Sequence, residues 1–198
     1  MNAPRRAEVV LDFVCVHSYR GFSRFVRAAR VYRAQGGAVE TVFLPFQLQP
    51  DASAAGESLF EVWKRQRGED VARALLSDGS FGIADGLELN FDRAVFANTF
   101  DAHRILAQAS AQGKGEQMAE RLFRAYFTDG RNLADPDTLT RLAAETGVVT
   151  RETGAAELRA ELDRVRQLGV QPPSFRFEGG PFLEGEQSEE LFHATLTR

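Results

Sequence analysis

A strand–helix–strand pattern in the first fifty residues constrains the fold more than any other feature. The apolar and β-branched run Val9–Val16, broken only by Asp12, predicts a strand buried on both faces. A second run, Val39–Phe46, predicts another strand. The residues between them predict an amphipathic helix, whose apolar stripe consists of Phe22, Phe25, Val26 and Ala29. A helical connection of this length allows a right-handed crossover, so we expect the two strands to be parallel.

The middle of the chain has helical periodicity. Residues 57–76 predict one helix, or two helices broken near Gly68. Two further amphipathic helices are separated by Gly113-Lys114-Gly115. Asp135 followed by Pro136 has the N-cap and first-turn residues of another helix.

The last thirty residues predict a short hairpin and a final helix. Ser174–Phe177 is a strand candidate, and Phe182 and Leu183 can pair back to it after a glycine turn. Ser188 is placed to cap the last helix. The order is therefore β-α-β, a helical block, and α-β-β-α, which is an α/β thioredoxin-like layout with a large helical insertion.

Cysteine and charge content exclude several classes of protein. With Cys15 as its single cysteine, the chain forms no intramolecular disulfide and no cysteine-rich zinc site. Its histidines, His17, His103 and His193, lack metal-ligand spacing, so no metal site is predicted. A net charge of −4 without a long basic run argues against a nucleic-acid partner. No apolar stretch approaches the ~20 residues of a membrane span, and no signal-peptide core is visible, so the predicted location is the cytoplasm.

Cys15 is the residue best placed for chemistry. It stands where the first strand is predicted to end and the helix to begin. The free N–H groups and positive end of a helix stabilise a thiolate, which is the reactive form of cysteine. On this basis we expect a lowered pKa for Cys15 and rapid reaction with oxidised glutathione. The alternative is a buried structural cysteine, and position alone does not separate the two.

Two neighbours of Cys15 have roles that the sequence leaves open. The Ser18 hydroxyl, three residues on, either donates a hydrogen bond to the thiolate, caps a backbone N–H, or does both. Histidines carry protons near neutral pH, which makes His17 a candidate proton carrier. Residues two apart in a first helical turn do not face each other, so the alternative for His17 is a surface or tuning role.

The segment around Cys15 resembles a known family. Asp12–Gly21 looks like the active-site start of DsbA-family thioredoxin-fold proteins, in particular the FrnE-like branch. That branch is near the 2-hydroxychromene-2-carboxylate isomerases and the kappa-class glutathione transferases. Further segments that resemble the family, in the same order along the chain, are Pro45–Pro50, Asn98–Arg104, Leu122–Phe127, Gly169–Phe175, and Gly185 with Gln187.

The resemblance implies a division of the chain and a substrate site. Residues 7–48 and 169–198 would form the thioredoxin-like domain, and residues 49–168 the inserted helical domain. The Pro172-Pro173 segment matches the family's cis-proline loop, which faces the active-site helix. The resemblance therefore implies a cis bond before Pro173 and a substrate site at Pro172 and Pro173. We predict His17, next to Cys15 in sequence, as a further substrate-binding residue.

One departure from the family bears on activity. The family's Cys-Pro-Trp-Cys reads Cys15-Val16-His17-Ser18 here, so the attacking cysteine is kept and the resolving cysteine is serine. The resemblance then implies a thiol-disulfide oxidoreductase-like protein with Cys15 and Ser18 as catalytic residues, acting by mixed-disulfide exchange. The implied partner is a thiol or disulfide, either a small molecule or a protein. No permanently bound cofactor is expected, and glutathione would be a co-substrate.

Two alternative functions stay open at this level. One is a glutathione-dependent isomerase or transferase, although the usual serine of those families stands at the position of Cys15. The other is a redox-binding protein without turnover. The sequence does not set the oligomeric state.

Overall fold

A parallel strand pair joined by a long helix is the frame of the molecule. The computed structural model describes residues 3–78 and 80–198, so Met1, Asn2 and Gly79 lie outside it. In chain order its elements are β1 (Arg5–Leu11), α1 (Val16–Ala34), β2 (Val39–Pro45), β3 (Glu57–Ser58), α2 (Leu59–Arg67), α3 (Glu69–Ser77), a 3-10 turn (Ile83–Asp85), β4 (Val95–Phe96), α4 (Phe100–Ala111), α5 (Gly115–Phe127), α6 (Pro136–Glu145), α7 (Ala155–Arg166), β5 (Ser174–Phe177), β6 (Leu183–Glu184) and α8 (Glu189–Leu196).

The main sheet has the strand order β2-β1-β5-β6. β1 and β2 are parallel, as predicted, and α1 is the crossover between them. β5 runs antiparallel to β1, and β6 pairs antiparallel with β5 as the predicted hairpin. The separate two-stranded ribbon of β3 and β4 belongs to the middle of the chain and was not predicted.

The extent of the first strand was predicted wrongly. β1 ends at Leu11, and the apolar residues after it form a turn, in which the Cys15 amide donates to the Asp12 carbonyl at 3.1 Å. Phe13 is fully buried in this turn, where its ring packs on Phe123 and His103 at centroid distances of 5.0 and 4.9 Å. The apolar run outlasts the strand because the turn itself is covered by α4 and α5.

Both faces of the sheet are covered, because successive strand residues point to opposite sides. Val9 and Leu11 belong to the main core, in which Phe25 of α1 packs against β5 and α8. Val10 lies in a smaller cluster on the other side with Val165 of α7. A buried sheet of this kind holds the start of α1 rigidly at the carboxyl end of β1.

Helices α2–α7, which we call the helical segment (59–166), separate β2 from β5. Of the two alternatives for residues 57–76, the structure has two helices, with Gly68 at φ of +88° between α2 and α3. The predicted cap is also confirmed: Asp135 accepts a hydrogen bond from the Thr138 amide at 2.9 Å. The α/β thioredoxin-like fold with a helical insertion is thus observed, while the exact boundaries at 7–48, 49–168 and 169–198 stay a prediction.

None of the helices in the described residues has the length and apolar character needed to cross a bilayer.

Candidate functional site

Cys15 is the N-cap residue of α1, as the sequence predicted. Its Sγ accepts a hydrogen bond from the Ser18 amide at 3.4 Å. In the thiol form Sγ also faces the Pro172 carbonyl oxygen at 3.9 Å. Cys15 is 8% exposed and Ser18 is fully buried. The structure thus brings together Cys15, Ser18 and Pro172, which are separated by up to 157 residues in sequence.

The expected lowering of the Cys15 pKa is not observed. Burial has the largest effect and raises the pKa of the thiol above its ordinary value. The Ser18 hydroxyl and amide, and the His17 amide, lower the pKa, while the Asp12 carboxylate raises it. Desolvation therefore outweighs the favourable field of the helix N-terminus, because the site is covered by side chains that are distant in sequence.

A buried polar cluster lies beneath the cysteine and was not predicted. Asp12 is fully buried in the turn before Cys15, and its Oδ2 accepts a hydrogen bond from the Leu48 amide at 2.8 Å. Its Oδ1 lies 3.4 Å from Nε2 of His103 but is not aligned for a hydrogen bond. That Nε2 is 2.9 Å from the Phe46 carbonyl, which can only accept, so Nε2 carries the hydrogen.

Tyr126 adds a third buried polar group to this region. Its hydroxyl has no hydrogen-bond partner among the described residues, and neither has Nδ1 of His103. Burial, with a contribution from Asp12, raises the pKa of Tyr126. In the sequence, the only indication of this buried polar cluster is Asp12, a charged residue in an apolar run. His103, whose ring lies beside Asp12 in the structure, is 91 positions further along the chain.

His17 does not point at the cysteine. Its side chain is 59% exposed, and Nδ1 lies 2.5 Å from a carboxylate oxygen of Glu186, in the loop before α8. The edge of its ring meets Phe81 at a centroid distance of 5.7 Å. His17 thus lies on the rim of the site, as expected for residues two apart in a first helical turn.

The loop before β5 has the geometry that the resemblance implied. The Pro172–Pro173 peptide bond is cis. Pro173 is buried beside α1, and a Cβ built on Gly21 would lie at an ordinary contact distance of 3.5 Å from its ring. The same Cβ would lie 3.2 Å from the Phe175 ring, so glycine at position 21 makes room for Phe175 of β5.

A cavity of about 400 Å³ opens beside Cys15, between the start of α1 and the helical segment. Val14, Cys15 and His17, around the start of α1, line one part of it. Five aromatic side chains form an aromatic wall, namely Trp63, Phe81, Phe91, Phe96 and Phe127, and the lining also includes the polar residues Gln49, Gln66, Arg67 and Asp78. A volume of this size suits a small molecule. The arrangement can therefore present a thiol to a compound held in an apolar cleft.

An ion-pair cluster fixes the edge of this cavity. Asp85, in the 3-10 turn after Phe81, accepts hydrogen bonds from Arg20 and Arg24 of α1 at 2.9 and 2.5 Å. Arg27 is 3.3 Å away. Burial raises the pKa of Asp85, but Arg24 and Arg20 outweigh it and lower the pKa to about 2. Arg20 also stacks on the Phe81 ring at 4.5 Å, so the cluster holds Phe81 against α1.

Within residues 3–78 and 80–198, no group of three or more His, Cys, Asp or Glu side chains is close enough to hold a metal ion.

Similar proteins share this architecture. The uncharacterized protein YwbO of Bacillus subtilis (strain 168) is 27% identical over 142 residues, which are 71% of this chain and 66% of YwbO, just under two thirds of its length. A probable DsbA oxidoreductase of Streptomyces coelicolor has a structure with a TM-score of 0.77 and 27% identity, covering 98% of this chain and 88% of that one.

A third similar protein is the cytosolic disulfide reductase DsbM of Pseudomonas aeruginosa, whose structure was solved with GSH. Its TM-score is 0.60 at 23% identity, and 97% of each chain is covered. This likeness establishes the fold. The model of the DSBA-like thioredoxin domain matches residues 7–197, nearly the whole sequence. With its cysteine at the start of α1 and its buried sheet, the chain belongs to the family of DSBA-like thioredoxin domains.

Proposed function

We propose that this chain is a FrnE-like thiol-disulfide exchange enzyme that works through Cys15 alone, with glutathione as co-substrate. The observation that carries the proposal is the position of Sγ. It lies at the N-terminus of α1, accepts the Ser18 N–H and borders a cavity, in a sequence with no other cysteine. A thiol so placed can attack a bound disulfide, but it has no internal partner with which to close one.

The proposed reaction is two exchanges of one disulfide bond. The Cys15 thiolate attacks one sulfur of a substrate disulfide, forms a mixed disulfide and releases the other half as a thiolate, which takes up a proton. The thiolate of glutathione then attacks the substrate-derived sulfur of the mixed disulfide. This step restores Cys15 and releases the substrate as its mixed disulfide with glutathione. No electrons are lost or gained overall, and no bound cofactor is needed.

The neighbours of Cys15 have distinct proposed roles. The Ser18 hydroxyl and amide offset part of the cost of the buried negative charge on sulfur. The Pro172 carbonyl, at 3.9 Å from Sγ, marks the side from which a substrate sulfur approaches, and Pro173 sets the position of that loop. His17, paired with Glu186 on the rim, would contact the part of the substrate that projects into solvent.

The comparisons support glutathione as the second thiol. DsbM shares the fold, and its structure was solved with GSH. A glutathione-coupled reaction suits the cytoplasm, where the glutathione pool keeps thiols reduced, and we place the activity there.

A coupled assay tests the proposal. The protein is given 2-hydroxyethyl disulfide and reduced glutathione. The released mixed disulfide exchanges with a second glutathione, and the oxidised glutathione formed in that step is measured through glutathione reductase and NADPH. We expect turnover above the uncatalysed rate, and none with Cys15→Ser. Turnover that survives Cys15→Ser would contradict the proposal, and so would a native protein as inactive as this variant. Glutathione-dependent isomerisation of a chromene carboxylate, without disulfide turnover, would indicate the isomerase alternative.

A further inference from the structure

We propose that the cavity beside Cys15 binds a flat, apolar ring of a small-molecule disulfide. This inference rests on the proposed function and names the substrate class of the same site. In the reaction above, glutathione would be the second thiol, and the ring-bearing compound would be the first substrate.

The walls of the cavity are aromatic and packed on one another. Phe91 is the centre of this packing, with ring centroids at 5.4 Å from Trp63 and 6.1 Å from Phe127. Phe81 lies at 6.5 Å from Phe91. Rings held in this way keep the cleft open in one shape, and their faces and edges favour an offset or edge-on ring as ligand.

A peptide substrate fits this cleft poorly. Each peptide group brings an N–H and a C=O that need partners. The lining is mainly aromatic and aliphatic, including Leu59 and Val62, and its polar side chains are His17, Gln49, Gln66, Arg67 and Asp78. Peptide groups that lie along the apolar part of the cleft would lack partners, which opposes binding, whereas a ring would bury apolar area there.

The edge of the cleft is fixed rather than loose. Phe81 is contacted by Arg20 on its face and by the edge of His17. Arg20 is itself bound to Asp85 and to Glu186. A ligand ring would thus enter a site whose aromatic wall is already in place, which lowers the cost of ordering on binding.

Paired methanethiosulfonate probes test the proposal, because they share one leaving group. Benzyl and 2-hydroxyethyl methanethiosulfonate each transfer their RS group to the Cys15 thiolate and release methanesulfinate. The rate of each is measured by mass spectrometry and divided by its rate with free glutathione. We expect the normalised rate of the benzyl probe to exceed that of the hydroxyethyl probe by about tenfold or more, since a buried benzyl ring resembles a buried Phe side chain.

Two variants assign the preference to the cavity. Leu75→Trp adds a ring to the cavity wall and should reduce the benzyl preference by about tenfold. Val71→Trp is the matched control on the same helix, since Val71 is 46% exposed and does not line the cavity. In this variant the preference for the benzyl probe should stay unchanged. Phe81→Ala, at the edge, is a second variant that removes one wall and should also lower the preference.

The outcomes separate this proposal from the proposed function. If Cys15 reacts with both probes at equal normalised rates, the ring site is refuted and the exchange chemistry stands. If Leu75→Trp and Phe81→Ala fold but keep the full benzyl preference, the preference arises elsewhere and the ring site is refuted again. If neither probe modifies Cys15 in the folded protein, both proposals fail.

Discussion

Replacing Asp85 by asparagine tests whether the ion-pair cluster holds the 3-10 turn on α1. The Asp85 side chain is 4% exposed and is surrounded by Arg20, Arg24 and Arg27. Burial raises its pKa, but the arginines lower it to about 2, against an ordinary value of 3.8. This difference corresponds to about 2 kcal/mol of folding free energy at pH 7.

The sign of the pH dependence follows from the direction of this shift. A carboxyl with a lower pKa in the folded state stabilises the fold above pH 3.8 and loses that contribution as the pH falls through about 2. Asp85→Asn should therefore lower the free energy of unfolding by about 2 kcal/mol at pH 7, but only by about 1 kcal/mol at pH 3. Urea denaturation followed by circular dichroism measures both values.

A matched control is Asp163→Asn. Asp163 also pairs with an arginine, Arg166 at 3.5 Å, but its side chain is 71% exposed. Exposed pairs contribute little, so we expect a change within about 0.5 kcal/mol. If Asp85→Asn and Asp163→Asn are equally stable at pH 7, or if the loss caused by Asp85→Asn is as large at pH 3 as at pH 7, the ion-pair cluster does not stabilise the fold in this way.

Three further predictions concern Cys15. Ser18→Ala keeps the amide that donates to Sγ but removes the hydroxyl, which lowers the pKa of Cys15. An interaction with a charged sulfur is worth about 1.5–3 kcal/mol, so alkylation by iodoacetamide at pH 7 should slow about tenfold or more; an unchanged rate would show that the hydroxyl does not affect the thiolate. Asp12→Asn removes a negative charge that opposes the thiolate, so alkylation at pH 7 should become faster, and a slower rate in a folded variant would contradict this. Ser18→Cys places a second thiol one helical turn from Cys15, within the ~4.4–6.8 Å Cα separation that disulfides tolerate. This variant should form an intramolecular disulfide and gain insulin-reductase activity that the parent protein lacks. Two free thiols after mild oxidation would contradict this prediction.

The parts of the fold that depend on local sequence were predictable. Gly68 breaks the helical run because its φ of +88° suits glycine, and Asp135 and Ser188 cap their helices through hydrogen bonds to amides three residues on. The end of β1 was not predictable, because an apolar run does not show where a strand becomes a turn. Phe13 is buried by α4 and α5, which lie more than eighty residues further along the chain.

The candidate site, too, was predictable only where it depends on neighbouring residues in the sequence. The position of Cys15 at a helix start follows from neighbouring residues, and so does the outward direction of His17. The pKa of Cys15 depends on desolvation by side chains from distant segments, and this effect reverses the shift expected from the helix alone. The pairing of Asp12 with His103 and the aromatic wall around Phe91 arise only when the helical segment packs on the start of α1.

Intact-mass spectrometry with oxidised glutathione tests whether Cys15 is reactive in the folded protein. The folded protein is incubated with oxidised glutathione, its mass is recorded over time, and excess reduced glutathione is then added. We expect one glutathionyl adduct, located on Cys15, forming faster as the pH rises, and its complete removal by reduced glutathione. A Cys15 that stays unmodified in the folded protein but reacts after denaturation would rule out the proposed exchange, because burial would then have made the thiol inert.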